Sequence, residues 1–398
     1  MAVNLPPAGE LSAVPGIRIG TAAAGIKYRE REDLALFAFG EGSTVGGVFT
    51  RNSFRAAPVT LAAERLGAAR GFVVNSGNAN AATGERGLAD ARSSCVLAAE
   101  VLGCDANEVL PFSTGVIGEF LPMDRVADGI GRAAEALSED AWLPAARAIM
   151  TTDTQPKGVS GRFEIGGSQV TATGIVKGSG MIRPDMATLL AFLGTDASLS
   201  ADAVQALARD LGDRSFNRLT IDGDTSTNDS FVVVATGRAG VGDEHYDALL
   251  AAFTPLVVDL AERTVRDGEG ATKFVTVSAE GGASSEECLR VAYTVAHSPL
   301  VKTALFAGDP NWGRFCMAIG RAGIEDLDPS GVSLHLDDVC VAEGGLVAAS
   351  YTEAKGAGVM ARDEFTVRID LGRGTCAETV WTSDLSYEYV KINAEYRT

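Results

Sequence analysis

The sequence predicts an α+β protein in which sheets are covered by helices. Three observations carry this. Short runs rich in β-branched or aromatic residues are bounded by Gly, Asn or Asp. Longer runs place apolar residues at three- and four-residue spacing. The two kinds do not alternate as a regular βαβ repeat. With 46% apolar residues among 398, the chain can bury a large core, so intrinsic disorder is excluded. The length predicts two or three domain-sized units, or one large interleaved fold.

In chain order, the first strand is expected over Leu34 to Phe39, an aliphatic and Phe run that Gly40 closes. A second follows over Gly71 to Val74, with Asn75 and Ser76 behind it. Helices are expected over Ala89 to Leu102 and Glu139 to Ile149, where small and branched apolar residues repeat at helical spacing. Val170 to Val176 reads as a strand and Ala201 to Leu211 as a helix. Phe231 to Thr236 is a strand, Tyr246 to Val265 a long helix, and Phe274 to Ala279 and Phe365 to Leu371 are strands. No internal repeat, low-complexity tract, long charge run or Pro/Ser-rich linker divides the chain.

Charge narrows the partners. Lys and Arg number 34 against 52 Asp and Glu, a formal charge of −18. Such a surface repels phosphate backbones and anionic lipid heads, so neither nucleic acid nor a membrane is an expected partner. Aromatics make up only 7%, which argues against base-stacking platforms, while 46 glycines predict many tight turns. No segment reaches the ~18–20 uninterrupted apolar residues of a membrane span. The start, Met1-Ala-Val-Asn-Leu-Pro-Pro, lacks the basic and apolar regions of a signal peptide. A soluble, cytoplasmic protein is expected. Its six cysteines are scattered without a CxxC pair, which predicts free thiols rather than disulfides or a zinc site.

The chemistry is first bounded by what is missing. His245, His297 and His335 are far apart, and no HExxH, HxH or GxSxG motif accompanies them. Zinc catalysis and a Ser-His-Asp triad therefore lack support, and no metal is expected. No GxxxxGK[ST] loop is present. The run Lys177-Gly-Ser-Gly-Met-Ile-Arg-Pro-Asp-Met-Ala-Thr188 follows a strand, but it lacks the third glycine of GxGxxG, and Pro184 removes a donor. Asp222-Gly-Asp-Thr-Ser-Thr-Asn-Asp229 resembles a calcium loop only at a glance. It has no Gly at the sixth place and Val233 where the final Glu belongs. A hydroxyl-rich turn leading into a strand accounts for it better.

A hydroxyl nucleophile without histidine is left as an option. Thr188 follows small Ala187 and heads the apolar run Leu189 to Leu193. A threonine needs a base to take its proton. Cutting the chain just before it frees its own α-amine, whose ordinary pKa of about 7.7–8.0 suits that task. By pattern alone Thr188 is one threonine among many, and a strand-start threonine bonding its neighbours is the reading the pattern favours.

The segment from Lys177 to Phe192 closely resembles the self-cleavage segment of the ornithine acetyltransferase family, the bifunctional glutamate N-acetyltransferases of arginine biosynthesis. Further blocks of the same resemblance follow in order along almost the whole chain. They are Gly46-Gly-Val-Phe-Thr-Arg-Asn52, Ala56-Ala-Pro-Val59, Asn75-Ser-Gly-Asn-Ala-Asn80 and Ser113-Thr-Gly-Val-Ile-Gly118. Met150-Thr-Thr-Asp-Thr154, Asp222 to Ser230, Asp267-Gly-Glu-Gly-Ala-Thr-Lys273, Gly308-Asp-Pro-Asn-Trp-Gly-Arg314 and Asn393-Ala-Glu-Tyr-Arg-Thr398 complete them.

The resemblance implies a self-cleaving sandwich of the N-terminal-nucleophile type with a smaller C-terminal α/β part. It implies a cut between Ala187 and Thr188, giving an α chain of residues 1–187 and a β chain of residues 188–398. Thr188 would be the nucleophile of a ping-pong transfer from N2-acetylornithine to glutamate. Thr114 and Gly115 would form the oxyanion hole, with Thr151, Lys177, Thr188, Glu269, Asn393 and Thr398 touching substrate. Lys177 and the hydroxyls suit a substrate carboxylate, and Glu269 suits the ammonium of ornithine or a proton shuttle at Thr188. Among Thr151, Thr152 and Thr154 the sequence does not decide. Two α and two β chains are the implied assembly. Members differ in whether they also take acetyl from acetyl-CoA, and no residue pattern settles this here. Without that activity no cofactor is expected, and with it acetyl-CoA is a co-substrate only.

Two other classes fit parts of the pattern. An amidohydrolase or aminopeptidase with an N-terminal Ser or Thr would pass its acyl group to water. A non-catalytic scaffold would have kept the fold alone, which the intact Thr188, Thr114, Gly115, Lys177 and Glu269 argue against.

Overall fold

The computed structural model describes residues 2–27, 30–183 and 189–395. Ala187, Thr188 and Thr398, and with them the implied cleavage bond, lie outside the described residues. The chain opens with β1 (Ile17–Ala22), β2 (Leu34–Phe39), β3 (Thr44–Phe49), α1 (Ala57–Glu64) and the two-residue β4 (Gly67–Ala68). It continues through β5 (Gly71–Asn78), α2 (Gly84–Leu102), β6 (Val109–Val116), α3 (Met123–Glu135) and α4 (Trp142–Ala148). Next come β7 (Lys157–Ile165), β8 (Ser168–Lys177), β9 (Leu190–Thr195), α5 (Ala201–Arg214) and β10 (Leu219–Thr220). The second half holds β11 (Ser230–Ala235), α6 (Tyr246–Arg266), β12 (Phe274–Gly282), α7 (Ser285–Ala296), α8 (Pro299–Ala307) and α9 (Trp312–Gly320). It ends with β13 (Ser333–Leu336), β14 (Val339–Glu343), β15 (Leu346–Val347), α10 (Glu353–Met360), β16 (Glu364–Asp370), β17 (Cys376–Ser383) and α11 (Tyr387–Glu395). The expected α+β class holds, and every strand and helix expected from the sequence is present within a few residues.

Two compact units divide these elements. The larger comprises residues 6–217 and 224–264. Its first sheet has the order β1-β2-β5-β6 and its second β4-β3-β11-β9-β8-β7. Alternation along the strands explains the layers. In β2, Ala35, Phe37 and Phe39 join one core with Trp142 of α4 and with Val45, Ile175, Phe192, Val232 and Val234 of the second sheet. Leu34 and Leu36 point the other way, into a core formed with residues of α2 and α3. The second sheet carries α5 against β3 and β11 on its outer face. Helix α6 covers β7 and β8 there, since Leu256 and Leu260 are the side chains a Cβ at Gly161 and Gly174 would meet. The result is four layers, helix–sheet–sheet–helix, with β2, β5, β9 and β11 buried on both faces. Phe37, Phe72, Phe112 and Phe192 lock the two sheets together, with Phe37–Phe192 centroids at 5.4 Å and Phe112–Phe192 at 5.1 Å.

Helix ends obey local chemistry. Ser200 caps α5 by accepting the Ala203 N–H, and Gly103 ends α2 with φ +68°.

The smaller unit comprises residues 1–5, 218–223 and 265–398. It is built on one seven-stranded mixed sheet, β10-β17-β12-β16-β13-β14-β15. Helix α7 packs on β12 and β17, and its Val291 and Val295 share a core with Phe315 of α9 and Val367 of β16. Among the described residues no helix is long and apolar enough to cross a membrane. The six cysteines are free thiols. Burial pushes Cys95 up to about 11, away from any thiolate role.

Candidate active site

Hydrogen bonding converges at one end of the larger unit, where β5, β6, β8 and the starts of β9 and β11 stop. Ser113, Thr114 and Gly115, expected as a turn, are strand residues near the end of β6, beside a register shift between Gly77 and Asn78 of β5. Gly115 has φ +138°, and a Cβ there would lie 2.2 Å from the Gly77 carbonyl carbon, so only glycine fits. Asparagines hold this strand end. Asn75 Oδ1 accepts from Ser113 Oγ at 2.6 Å, and Asn228 Nδ2 donates to the carbonyls of Ser113 at 2.8 Å and Ala79 at 2.7 Å. The Asn-Ser-Gly-Asn-Ala-Asn block of the sequence is thus a scaffold. Asn78 and Asn80 fold the loop after β5 through bonds to Asn80 N, Gly87 O and Thr83.

Lys177, the last residue of β8, is buried and donates from Nζ to Thr114 Oγ1 at 3.2 Å. The hydroxyl hydrogen of Thr114 then points elsewhere, and the ammonium beside its oxygen strengthens it as a donor. Two of the residues that the resemblance implies are therefore in direct contact.

Behind them lies a buried ion cluster. Asp153 accepts from Lys157 Nζ at 2.6 Å, from Gly178 N at 2.8 Å and from Thr151 N at 2.9 Å. Burial alone would raise the Asp153 pKa, but the Lys157 and Lys177 charges and these hydrogen bonds outweigh it and hold the carboxyl well below its usual range. Thr151 joins this cluster through its backbone N–H. Thr152 joins through its side chain, with Oγ1 2.7 Å from Ser179 Oγ. The segment before the implied cut also contains Met181 at φ +58°, an uncommon conformation for a residue other than glycine.

On the far side of that cut, Leu189 N donates to Asp229 Oδ1 at 3.1 Å. Asp229 is fully buried, and its Oδ2 has no hydrogen-bond partner among the described residues. Burial pushes its carboxyl well above the usual range. The Leu189 amide, the Lys177 charge and the Ser226 and Thr50 hydroxyls oppose this only in part.

The smaller unit carries Glu269 and Asn393. Asn393 Nδ2 donates to Glu269 Oε2 at 2.8 Å and to the Tyr389 carbonyl at 3.0 Å. The Asp-Gly-Glu-Gly turn needs Gly270, which has φ +66° and sits where a Cβ would fall 2.4 Å from Tyr389 N. Ser386 Oγ donates to Gly270 O at 2.6 Å. Asp384 accepts from Thr272 N, Thr272 Oγ1 and Lys273 N at 2.8, 2.6 and 3.0 Å. Buried Lys302 donates to Thr382 Oγ1 and Ser383 O, and burial pulls its pKa down to about 8 against the pull of Asp384 and Asp222.

Thr114, Gly115, Thr151 and Lys177 are thus placed in the larger unit, and Glu269 and Asn393 pair within the smaller one. Asp153, Lys157 and Asp229 were not singled out by sequence reasoning. The signal available was an Asp beside threonines in Met150-Thr-Thr-Asp-Thr154, and an Asp immediately before an apolar strand. Among the described residues no group of His, Cys, Asp and Glu could hold a metal ion.

Over residues 18–398 the sequence matches the model of the ArgJ family. The chain belongs to the ArgJ family. It is similar to the arginine biosynthesis bifunctional protein ArgJ of Pseudomonas fluorescens strain Pf0-1, 54% identical over 405 residues that cover 100% of both chains. The protein of the same name from Methylococcus capsulatus is 54% identical over 394 residues, covering 98% of this chain and 97% of that one. A crystal structure of arginine biosynthesis bifunctional protein argJ from Bacillus halodurans is 34% identical. It covers 50% of this chain and 95% of that chain, with a TM-score of 0.48.

Proposed function

We propose that the enzyme is a cytoplasmic glutamate N-acetyltransferase of arginine biosynthesis, moving acetyl from N2-acetylornithine to glutamate after cutting itself between Ala187 and Thr188. The observation that carries the reading is the Lys177–Thr114 contact at the end of β8, the strand that leads into the segment with Thr188.

In this reading the free α-amine of Thr188 takes the proton of its own hydroxyl as Oγ1 attacks the acetyl carbonyl of N2-acetylornithine. The tetrahedral oxyanion is met by Thr114 and Gly115, held rigidly by Asn75 and Asn228. The bond from acetyl carbon to ornithine nitrogen breaks, and the proton passes from the α-amine to the leaving amine. The α-amine of glutamate then attacks the acetyl-Thr188 ester, Oγ1 leaves and regains a proton, and N-acetylglutamate departs. Lys177 supplies a cation for a substrate carboxylate, and a hydroxyl of the Thr151-Thr152 pair accompanies it. Glu269, oriented by Asn393, answers the ornithine ammonium, and Thr398 completes the substrate contacts.

The relatives named above are called bifunctional, which favours a second acetyl donor. A thioester such as acetyl-CoA can load the same Thr188 oxygen, which makes it a co-substrate and calls for no resident cofactor. Two α and two β chains form the proposed assembly.

The test is product analysis with N2-acetylornithine, with and without glutamate. The reading expects ornithine and N-acetylglutamate in equal amounts, and one acetyl group on the fragment that begins at Thr188 when glutamate is left out. Acetate released at the same rate in both samples would assign the enzyme to the hydrolases instead.

A further inference from the structure

Asp229 is a fully buried carboxyl of the larger unit's site that the proposed reaction leaves without work, and unlike Asp153 it has no lysine in an ion pair with it among the described residues. Its geometry is specific. Oδ1 receives the N–H of Leu189, the residue directly after the proposed nucleophile. Oδ2 is buried and lacks a hydrogen-bond partner among the described residues. The carboxyl sits at the start of β11, where Ser230 is paired with Leu190 of β9 and its N–H donates to the Leu189 carbonyl at 3.0 Å. Both backbone polar groups of Leu189 are therefore fixed from one place, the N–H by the Asp229 side chain and the C=O by the Ser230 backbone.

We propose that Asp229 is a positioning residue for the cut and for the acetyl transfer, acting through the Leu189 amide to fix the chain immediately behind Thr188. A buried group pays a desolvation cost that only a constrained role offsets, and an isolated strand start does not require a carboxyl there. Reacting atoms must be placed closely, and a displacement of about 1 Å can cost roughly 10²-fold in rate. A side chain that pins the neighbouring peptide limits such displacement. Burial favours the protonated carboxyl, and in that form Oδ1 still accepts from Leu189 while Oδ2 carries a hydrogen that can be donated. Asparagine reproduces both properties, an accepting oxygen and a donating group, without titrating.

The inference rests on the acetyl-transfer reading, and two variants of the full chain separate the two. Asp229→Leu places a larger apolar side chain there with no acceptor, and Asp229→Asn keeps both volume and acceptor. Cleavage at Ala187–Thr188 is followed by mass over time, transfer by kcat and KM for N2-acetylornithine from pH 5 to 9, and folding by thermal midpoint. The expectation is that Asp229→Leu slows cleavage and lowers kcat by about 10²-fold at unchanged KM. Asp229→Asn should stay within about threefold of wild type at neutral pH, on a pH profile lacking the limb due to Asp229 ionisation. A leucine variant as fast as wild type overturns the inference, and so does an asparagine variant as slow as the leucine one. If the leucine variant does not fold, an asparagine variant with an unchanged pH profile overturns it. Wild-type enzyme that cleaves but transfers no acetyl removes the functional reading instead, and the cleavage rates of the variants still judge Asp229.

Discussion

Lys177 Nζ lies 3.2 Å from Thr114 Oγ1, joining the last residue of β8 to the end of β6. The contact does two things. It spends one ammonium hydrogen on the threonine oxygen, and it turns the threonine hydroxyl into a donor free to meet negative charge. An oxyanion site needs its donors pre-aimed, because reorganisation at the moment of reaction is what the enzyme avoids. The Asn75–Ser113 and Asn228–Ser113 bonds supply that rigidity at the residue before Thr114.

Thr114→Val keeps the shape of the side chain and removes the hydroxyl. The expected outcome is a fall of about 10²–10³ in kcat with little change in KM for N2-acetylornithine. Steady-state kinetics decide it, and a variant with normal kcat would remove Thr114 from the oxyanion hole.

Lys177→Met should behave differently. It removes a cation proposed for the substrate carboxylate, so KM should rise along with the fall in kcat. Lys177→Arg should not restore activity, because a planar fork in a fully packed position cannot repeat a point contact to Thr114 Oγ1. Full rescue by arginine, measured as kcat/KM, would show that charge alone matters there.

Asp153 and Asp229 set opposite pH dependences on stability. Asp153 binds its proton more weakly in the folded than in the unfolded chain, held so by Lys157 and Lys177 against its own burial. Its contribution is therefore complete above the unfolded carboxyl pKa of about 3.9 and is lost on further acidification. Asp229 binds its proton more tightly when folded, through burial, so its contribution is present at low pH and is lost as pH rises. Urea denaturation of Asp153→Asn should show a loss of about 3–5 kcal/mol at pH 7, since two buried lysines lose their counter-charge. The loss should shrink toward pH 3. For Asp229→Asn the comparison with wild type should improve as pH rises, and two parallel pH curves would contradict both assignments.

Much of this architecture was legible from the chain. Strand β2 was readable because Leu34 to Phe39 is apolar throughout and ends at a glycine. Helix α5 was readable because Ala201 to Leu211 repeats apolar residues at helical spacing. Strand β3 was not, since Gly46 and Gly47 dilute its apolar pattern. The reason for Gly46 is tertiary: a Cβ there would meet the Val204 carbonyl oxygen of α5 at 2.4 Å. The ion cluster was hidden for a related reason. Asp153 and Lys157 are spaced like any exposed i,i+4 pair, and only packing shows their side chains to be 0% and 1% exposed. Thr114, Lys177 and Glu269 were reached through family resemblance, because each is a common residue type whose partners are distant in sequence.

The last prediction concerns the fragments. A cut at Ala187–Thr188 divides the 41.2 kDa chain into pieces of roughly 19 and 22 kDa, taking mass in proportion to length. In the second sheet of the larger unit, β9 and β11 of the heavier piece lie side by side, flanked by β8 and β3 of the lighter one. Antiparallel pairing runs over six residue pairs on each flank, from Ala172–Thr195 to Lys177–Leu190 and from Ser230–Phe49 to Ala235–Thr44. Phe192 of the heavier piece is also packed among Phe37, Phe72 and Phe112 of the lighter one. Neither piece can leave without baring both strand edges and this aromatic core. Size exclusion in native buffer should therefore give one species containing both fragments, and mass measurement after denaturation should give two. Thr188→Ala should give a single 41.2 kDa chain of unchanged native size. Fragments that part in native buffer would contradict the interleaved sheet, whereas a wild-type chain that stays whole would contradict the cut.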